Sequence, residues 1–129
     1  MSETLSKILY VEDEPDIQAV ARIALESVGG LTVEVCSSGD EALEKVSAFN
    51  PDLVLLDVMM PNMDGPSTMM AIREIPEFSA TPVVFMTAKV QPQEVQALLA
   101  LGALDVIAKP FDPMTLSDQV KGIWATRAS

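Results

Sequence analysis

The chain has 129 residues, of which 49% are apolar, and this is enough to bury one core without disulfides or metals. Its 19 acidic and 8 basic residues give a formal net charge of −11, which disfavours direct contact with nucleic acid or an anionic membrane. The apolar runs are too short to cross a bilayer, and the N-terminus lacks an export signal. The chain has one cysteine and no histidine, which excludes an internal disulfide and a metal cluster built on cysteine and histidine. We therefore expect a cytoplasmic protein.

The first predicted strand, residues 8–11, is followed by a helical stripe of apolar side chains. The stripe consists of Ile17, Val20, Ala21, Ala24, Leu25 and Val28. Because these residues recur with the period of an α-helix, they predict a helix that is buried along this face. Gly29 and Gly30 then predict the end of the helix.

The second predicted strand, residues 32–36, precedes a helix that carries a capping signal. Ser38 is followed three residues later by Glu41, which is the spacing of a reciprocal capping box. The apolar face of this helix is predicted to comprise Ala42, Leu43 and Val46. Asn50, followed by proline, predicts its end.

The third predicted strand, residues 52–58, is apolar nearly throughout instead of alternating. That pattern is typical of a central parallel strand that is covered on both faces. A loop over residues 59–65 follows, and the next helix is predicted to begin at Pro66 and to stop before Pro76.

Two further strands, residues 82–87 and 104–108, enclose a helix that is predicted to end at Gly102. The apolar face of that helix comprises Val95, Leu98 and Leu99. After the fifth strand, Asp112 and Pro113 predict the N-cap and first position of a last helix. Its buried residues are predicted to be Leu116, Val120, Ile123 and Trp124.

The regular alternation of strands and helices predicts the fold class. It indicates an α/β protein with a doubly wound, five-stranded parallel sheet of order 2-1-3-4-5, as in flavodoxin-like folds. A β/α barrel needs many more residues. Because no linker or second core remains, residues 1–129 are predicted to form a single domain.

Polar side chains follow four of the predicted strands at the point where each strand ends. Glu12 and Asp13 follow the first strand, Asp57 ends the third, Thr87 ends the fourth and Lys109 follows the fifth. In open sheets of this kind, sites form at the carboxyl ends of the strands. Two carboxylates suit Mg²⁺, a carboxylate can accept a phosphoryl group, and an amine with a hydroxyl can stabilise it. We therefore predict a phosphoryl-transfer site.

Each of these residues also has a structural interpretation. Glu12 and Asp13 precede a helix, where acids often cap backbone N–H groups. Asp57 and Lys109 could form an ion pair that only balances charge in the core. Thr87 suits a strand in any case. The functional interpretation depends on their convergence.

Four motifs, in this order, resemble those of one known family. They are residues 8–14 (ILYVEDE), 55–65 (LLDVMMPNMDG), 86–88 (MTA) and 108–111 (AKPF). Over essentially its whole length the sequence resembles the receiver domains of response regulators, the CheY-like phosphoacceptors of two-component signalling. The resemblance implies that Asp57 takes a phosphoryl group from a histidine kinase or histidine phosphotransfer protein. It also implies a switch that acts through a downstream protein and is not an enzyme.

The same resemblance implies a metal site. Asp13, Asp57 and the backbone carbonyl of Met59 would bind Mg²⁺, with Glu12 nearby through a water molecule. It also implies a cis peptide bond between Lys109 and the following proline.

The sequence departs from the family pattern at one informative position. Receivers often carry an aromatic residue three positions before the lysine, where this chain has Val106. A valine cannot swing between buried and exposed ring positions, so the usual relay from threonine to an aromatic ring is not expected here. The resemblance implies that Met59 and Lys89, two residues after Asp57 and Thr87, flank the path of attacking water. We expect bulky Met59 to slow hydrolysis of the acyl phosphate.

Other functions share parts of this pattern. An FMN-binding flavodoxin would need hydroxyl and N–H donors where residues 12–15 present acids and a proline. A haloacid dehalogenase-type phosphatase would need a second acid at Met59. A degenerate receiver that only docks proteins is kept open by Val106, and weak self-association through the last helices is also left open.

Overall fold

The computed structural model describes residues 4–127. Its strands are β1 (Lys7–Val11), β2 (Thr32–Cys36), β3 (Leu53–Asp57), β4 (Val83–Thr87) and β5 (Asp105–Ala108). Its α-helices are α1 (Pro15–Ile23), α2 (Gly39–Phe49), α3 (Gly65–Arg73), α4 (Pro92–Ala100) and α5 (Leu116–Thr126). A π-helical segment, Ala24–Val28, continues α1, and a 3-10 turn, Pro76–Phe78, follows α3. Within residues 4–127 no helix has the length and apolar character that crossing a membrane requires.

The five strands form one parallel sheet in the order β2-β1-β3-β4-β5, which confirms the predicted topology. Each strand boundary lies within one residue of its prediction. All of β3 is buried, as its apolar sequence predicts. In the register of the sheet, Val11 pairs with Leu56, Asp57 with Met86, and Thr87 with Ala108. The carboxyl ends of β1, β3, β4 and β5 therefore meet along one edge.

Each face of the sheet carries its own hydrophobic core. On one face, α1 and α5 cover side chains such as Tyr10 and Leu55, whereas α2 and α3 cover Leu9 and Leu56 on the other. Neighbouring residues of a strand point to opposite faces, so both cores draw on the same strands. Burying one such leucine contributes roughly 2 kcal/mol. This two-sided packing holds the strand ends, and thus the polar residues on them, in fixed positions.

The predicted apolar stripe of the first helix is wrong at two positions. Ala21, Ala24 and Leu25 are buried, but Val20 and Val28 are 43% and 47% exposed. The π-helical segment Ala24–Val28 takes more residues per turn than an α-helix, and this rotates Val28 away from the core. Val20 instead lines an open groove near the site.

Two capping predictions also need correction. Ser38 accepts a hydrogen bond from the Glu41 N–H at 3.1 Å, as predicted, but the Glu41 carboxylate accepts from the Ser37 N–H at 2.7 Å and not from Ser38. One of the two hydrogen bonds of the predicted capping box is therefore present, and the other is made to the preceding residue, Ser37. Similarly, α3 begins at Gly65 and not at Pro66, because Asp64 is its N-cap.

The last helix begins at Leu116 and not at Pro113. The Asp112 carboxylate accepts from the Met114 N–H at 2.9 Å, and the Asp112 carbonyl accepts from the Leu116 N–H at 2.9 Å. These bonds form a turn that satisfies the same donors as a helix start. The predicted buried residues hold, except that Trp124 is only partly buried. In α4, the predicted apolar face of Val95, Leu98 and Leu99 is also only partly buried.

Candidate functional site

Four strand ends place the predicted polar residues along the carboxyl edge of the sheet. Glu12 directly follows β1, Asp57 and Thr87 are the last residues of β3 and β4, and Lys109 directly follows β5. Glu12, Asp57 and Thr87 are buried. Because burying a charged group without a partner is costly, each carboxylate here needs a cation or hydrogen-bond donors.

Lys109 provides that cation for two carboxylates at once. Its Nζ lies 3.0 Å from Glu12 Oε1 and 3.3 Å from Asp57 Oδ1, with 14% of its side chain exposed. The backbone holds it in place, since the Lys109 N–H donates to the Thr87 carbonyl at 2.9 Å. The peptide bond between Lys109 and Pro110 is cis, as predicted. The structure thus brings Asp57 and Lys109 together as the sequence predicts.

Three carboxylates cluster beside this lysine. Glu12, Asp13 and Asp57 each offer an oxygen within 4.8 Å of the others. Three negative charges therefore face one positive charge, and a divalent cation would balance the remaining two. Mg²⁺ prefers hard oxygen ligands and usually keeps several waters, which suits a cluster whose outermost member, Asp13, is partly exposed. The side chains present thus fit a magnesium ion.

Burial shapes the electrostatics of the cluster. It raises the pKa of Glu12 and of Asp57 above the ordinary values, although Lys109 opposes the shift. For Lys109, burial alone would lower the pKa, but the hydrogen bonds and charges of Glu12 and Asp57 outweigh it and raise the pKa. Lys109 therefore remains a cation at neutral pH, whereas the charge on Asp57 is held at an energetic cost.

Thr87 and Met59 are the other two residues that the sequence predicts for this site. The Thr87 hydroxyl oxygen accepts a hydrogen bond from the Lys89 N–H at 3.0 Å. This bond uses an oxygen lone pair, so the hydroxyl proton can be donated to a further acceptor. Met59, two residues after Asp57, has 61% of its surface exposed and borders an open groove on the loop before α3.

Two residues of the site were not identified from the sequence. Tyr10 lies buried on β1, and its hydroxyl is 3.5 Å from Glu12 Oε1. Gly65 packs against the backbone that carries Asp57, where an added Cβ would lie 2.5 Å from the Asp57 carbonyl oxygen. Gly65 is the last residue of the motif at residues 55–65, and its position after a loop was the available signal. For Tyr10, the signal was a polar group in an otherwise apolar strand.

Comparison with known proteins identifies a family and relatives of this chain. The family model described as response regulator receiver domain matches residues 8–121. The chain is 40% identical over 119 residues to the transcriptional regulatory protein ResD of Bacillus subtilis, covering 92% of this chain and 48% of ResD. It is 36% identical over 110 residues to the probable C4-dicarboxylate response regulator DctR of Halalkalibacterium halodurans, covering 84% of this chain and 47% of DctR. The chain spans about half the length of these curated relatives.

Solved structures of similar fold include response regulators. The chemotaxis response regulator CheY4 of Vibrio cholerae superimposes with a TM-score of 0.85 at 32% identity, covering 93% of this chain and 99% of CheY4. A crystal structure of a protein from Chloroflexus aurantiacus gives a TM-score of 0.83 at 30% identity, covering 94% of this chain and 98% of the other.

Proposed function

Because the chain belongs to the response regulator receiver domain family, we propose that it is a phosphorylation-controlled switch whose acceptor is Asp57. The observation that carries this proposal is the position of Lys109 Nζ, which contacts buried Asp57 and Glu12 within a cluster of three carboxylates. An ion pair with no further role would need one carboxylate. Here two additional acids, from the end of another strand, leave room for a divalent cation.

In the proposed reaction a carboxylate oxygen of Asp57 attacks the phosphorus of a phosphohistidine on the partner protein. The O–P bond forms as the N–P bond breaks, and the electron pair leaves with the imidazole nitrogen. Lys109 Nζ then pairs with a phosphoryl oxygen, and the Thr87 hydroxyl donates to another. The chain therefore needs positioned donors at this edge, and no general base is required for the acceptor.

A magnesium ion would take part in this site. We propose that Asp13, Asp57 and the backbone carbonyl of Met59 bind it, with Glu12 near it through a water molecule. When bound, Mg²⁺ supplies positive charge to the phosphoryl oxygens during transfer. The carboxylates in residues 12–13 argue against FMN in the same position, because they would repel its phosphate.

The switch would begin in the loop between β4 and α4. Recruiting the Thr87 hydroxyl to a phosphoryl oxygen alters the residue that now accepts from the Lys89 N–H at 3.0 Å. Residues 88–90 are exposed, and α4 has no fully buried residue, so this region can rearrange at low energetic cost. Val106, which is partly buried, packs without providing a ring to swing. The response is therefore expected to lie in the loop and α4.

The remaining features follow from the family. We propose residues 1–129 as a single receiver unit that is a signalling domain and not an enzyme acting on external substrates. Its partners would be a histidine kinase or histidine phosphotransfer protein and a downstream protein, in the cytoplasm, with weak self-association also to be tested. The net charge of −11 supports the expectation that it contacts neither nucleic acid nor membranes directly.

The proposal is tested with phosphoramidate, a small donor whose N–P bond resembles that of phosphohistidine. Wild type, Asp57→Asn and Asp40→Asn are incubated with the donor and Mg²⁺, and their intact masses are measured. Asp40 is an exposed acid on α2 and serves as the matched control. Wild type and Asp40→Asn should each gain one phosphoryl group, and Asp57→Asn none. Equal labelling of all three proteins would remove Asp57 from its proposed role.

A further inference from the structure

Tyr10 and Lys109 share one oxygen of Glu12. The Tyr10 hydroxyl donates a long hydrogen bond of 3.5 Å to Glu12 Oε1, and Lys109 Nζ donates to the same atom at 3.0 Å. The other oxygen, Oε2, accepts from the Glu14 N–H at 3.3 Å. Both Tyr10 and Glu12 have no solvent exposure. The carboxylate therefore depends on these protein donors.

A phosphoryl group on Asp57 would add negative charge next to the Lys109 ammonium group. Its Nζ already lies 3.3 Å from Asp57 Oδ1, so new negative charge on that residue attracts it. A turn of Lys109 towards the phosphoryl oxygens would weaken its contact with Glu12, which is 3.0 Å long in this structure. A buried carboxylate that loses its cation is strongly disfavoured unless another donor replaces it.

We propose that Tyr10 is a positioning residue that stabilises Glu12 when Lys109 turns to the phosphoryl group. This inference rests on the proposed function. The 3.5 Å separation can shorten towards the roughly 2.6 Å usual for a hydroxyl that donates to a carboxylate. Burial raises the pKa of Tyr10, so its hydroxyl stays protonated and can donate. The phenol then compensates Glu12 for the donor that it loses.

Tyr10 also packs in the core, and the test must separate this from its hydroxyl. The ring belongs to the hydrophobic cluster that includes Leu55 and Met86. Tyr10→Phe keeps the ring and removes only the oxygen. Glu12→Gln removes the charge that the oxygen is proposed to compensate. A double-mutant cycle with these two substitutions isolates their coupling.

The four proteins of this cycle are compared for phosphoryl acceptance from phosphoramidate and for binding of Mg²⁺ alone. With Glu12 present, Tyr10→Phe should slow acceptance about five- to tenfold, because a hydrogen bond to a charged group is lost. Its affinity for Mg²⁺ alone should stay within about twofold, since Lys109 still pairs with Glu12 before transfer. In the Glu12→Gln background, Tyr10→Phe should change acceptance less than about twofold.

Two results would overturn the inference. Equal slowing in both backgrounds would assign Tyr10 to packing, and no slowing in either would remove it from the reaction. If Tyr10→Phe matches wild type while wild type is phosphorylated, this inference alone fails. If wild type itself accepts no phosphoryl group, the proposed function fails with it.

A second measurement avoids any substitution of Tyr10. The chain has one tyrosine, so a carbon-13 label at its ring Cζ gives a single NMR resonance. Addition of Mg²⁺ with beryllofluoride, a phosphoryl mimic, should shift that resonance in wild type as the hydroxyl bond shortens. The shift should be absent in Glu12→Gln. An unmoved resonance in wild type, with the mimic bound, would contradict the proposal.

Discussion

Lys109 Nζ lies 3.3 Å from Asp57 Oδ1, although 52 positions separate the two residues in the chain. The parallel order of the sheet produces this contact, because β4 separates β3 from β5 and all three end at the same edge. The contact puts a permanent cation beside the proposed acceptor. The proposed switch depends on how this pair responds when a phosphoryl group arrives on Asp57.

Replacing the lysine should separate phosphoryl acceptance from metal binding. Lys109→Met removes the cation and keeps an unbranched side chain, so acceptance from phosphoramidate should fall about 10²-fold or more. Affinity for Mg²⁺ should be retained or increased, because the three carboxylates no longer share a competing positive charge. Rates of mass gain and a magnesium titration measure both. Lys45→Met, which breaks only surface ion pairs with Glu34 and Glu41, should change neither.

Removing the charge of Asp57 should stabilise the metal-free protein. The acid is buried within a cluster of excess negative charge, so Asp57→Asn should raise the free energy of unfolding by roughly 1 to 2 kcal/mol in EDTA. Burial raises the pKa of Asp57 in the folded state, so its charge destabilises the fold above that pKa. The difference in the free energy of unfolding between Asp57→Asn and wild type should therefore become smaller as the pH falls through the folded-state pKa of Asp57.

Urea unfolding at several pH values measures this effect, with Asp40→Asn as the control for an exposed acid. In saturating Mg²⁺ wild type should be more stable to urea than Asp57→Asn, because the ion stabilises wild type more than the variant. A metal-free Asp57→Asn protein that unfolds more easily than wild type would show that the Lys109 pair is net stabilising.

Replacing two glycines by alanine should change the stability of the protein in opposite directions. At Gly65 an added Cβ would lie 2.5 Å from the Asp57 carbonyl oxygen, so Gly65→Ala should cost several kcal/mol and impair phosphorylation. At Gly122, within α5, an added Cβ meets nothing within 4 Å, so Gly122→Ala should stabilise by about 0.5 to 1 kcal/mol. Equilibrium unfolding of the two variants tests this. Equal effects would mean that the loop relaxes freely around Gly65.

The side chain of Met59 should control the lifetime of the acyl phosphate. It is 61% exposed and lies two residues after the acceptor, where its bulk can obstruct an attacking water. Met59→Asn, which is shorter and polar, should lose phosphate several-fold faster, whereas Met59→Leu should match wild type. The decay of phosphorylated protein after removal of the donor gives the rates. A Met59→Asn variant that decays no faster would exclude this role.

Much of the fold could be predicted, because apolar strands can be recognised locally in the sequence. Their regular alternation with helices then indicates a single sheet topology. The site was predictable for the same reason: Asp57, Thr87 and Lys109 stand at strand ends, and the sheet order alone brings those ends together. Convergence of the Glu12, Asp13 and Asp57 carboxylates followed from the same topology. Their roles in transfer stay predictions.

The features that were missed depend on geometry that sequence spacing does not specify. Asp112 followed by proline fits a helix N-cap and a turn equally well, and hydrogen bonding to Met114 selects the turn. The π-helical segment Ala24–Val28 shifts the helical phase without a marker residue. The contact of Tyr10 with Glu12 joins residues two apart on the same strand side. A polar group in an apolar strand was visible in the sequence, but the spacing alone does not show that its hydroxyl reaches a carboxylate.

The most direct measurement identifies the residue that carries the phosphoryl group. Wild type is labelled with phosphoramidate and Mg²⁺ and reduced with borohydride, which converts a phosphorylated aspartate to homoserine, and its peptides are sequenced by mass spectrometry. We expect homoserine at position 57 and an unmodified side chain at position 13. Homoserine at another acid, or none in protein that has gained a phosphoryl group, would contradict it.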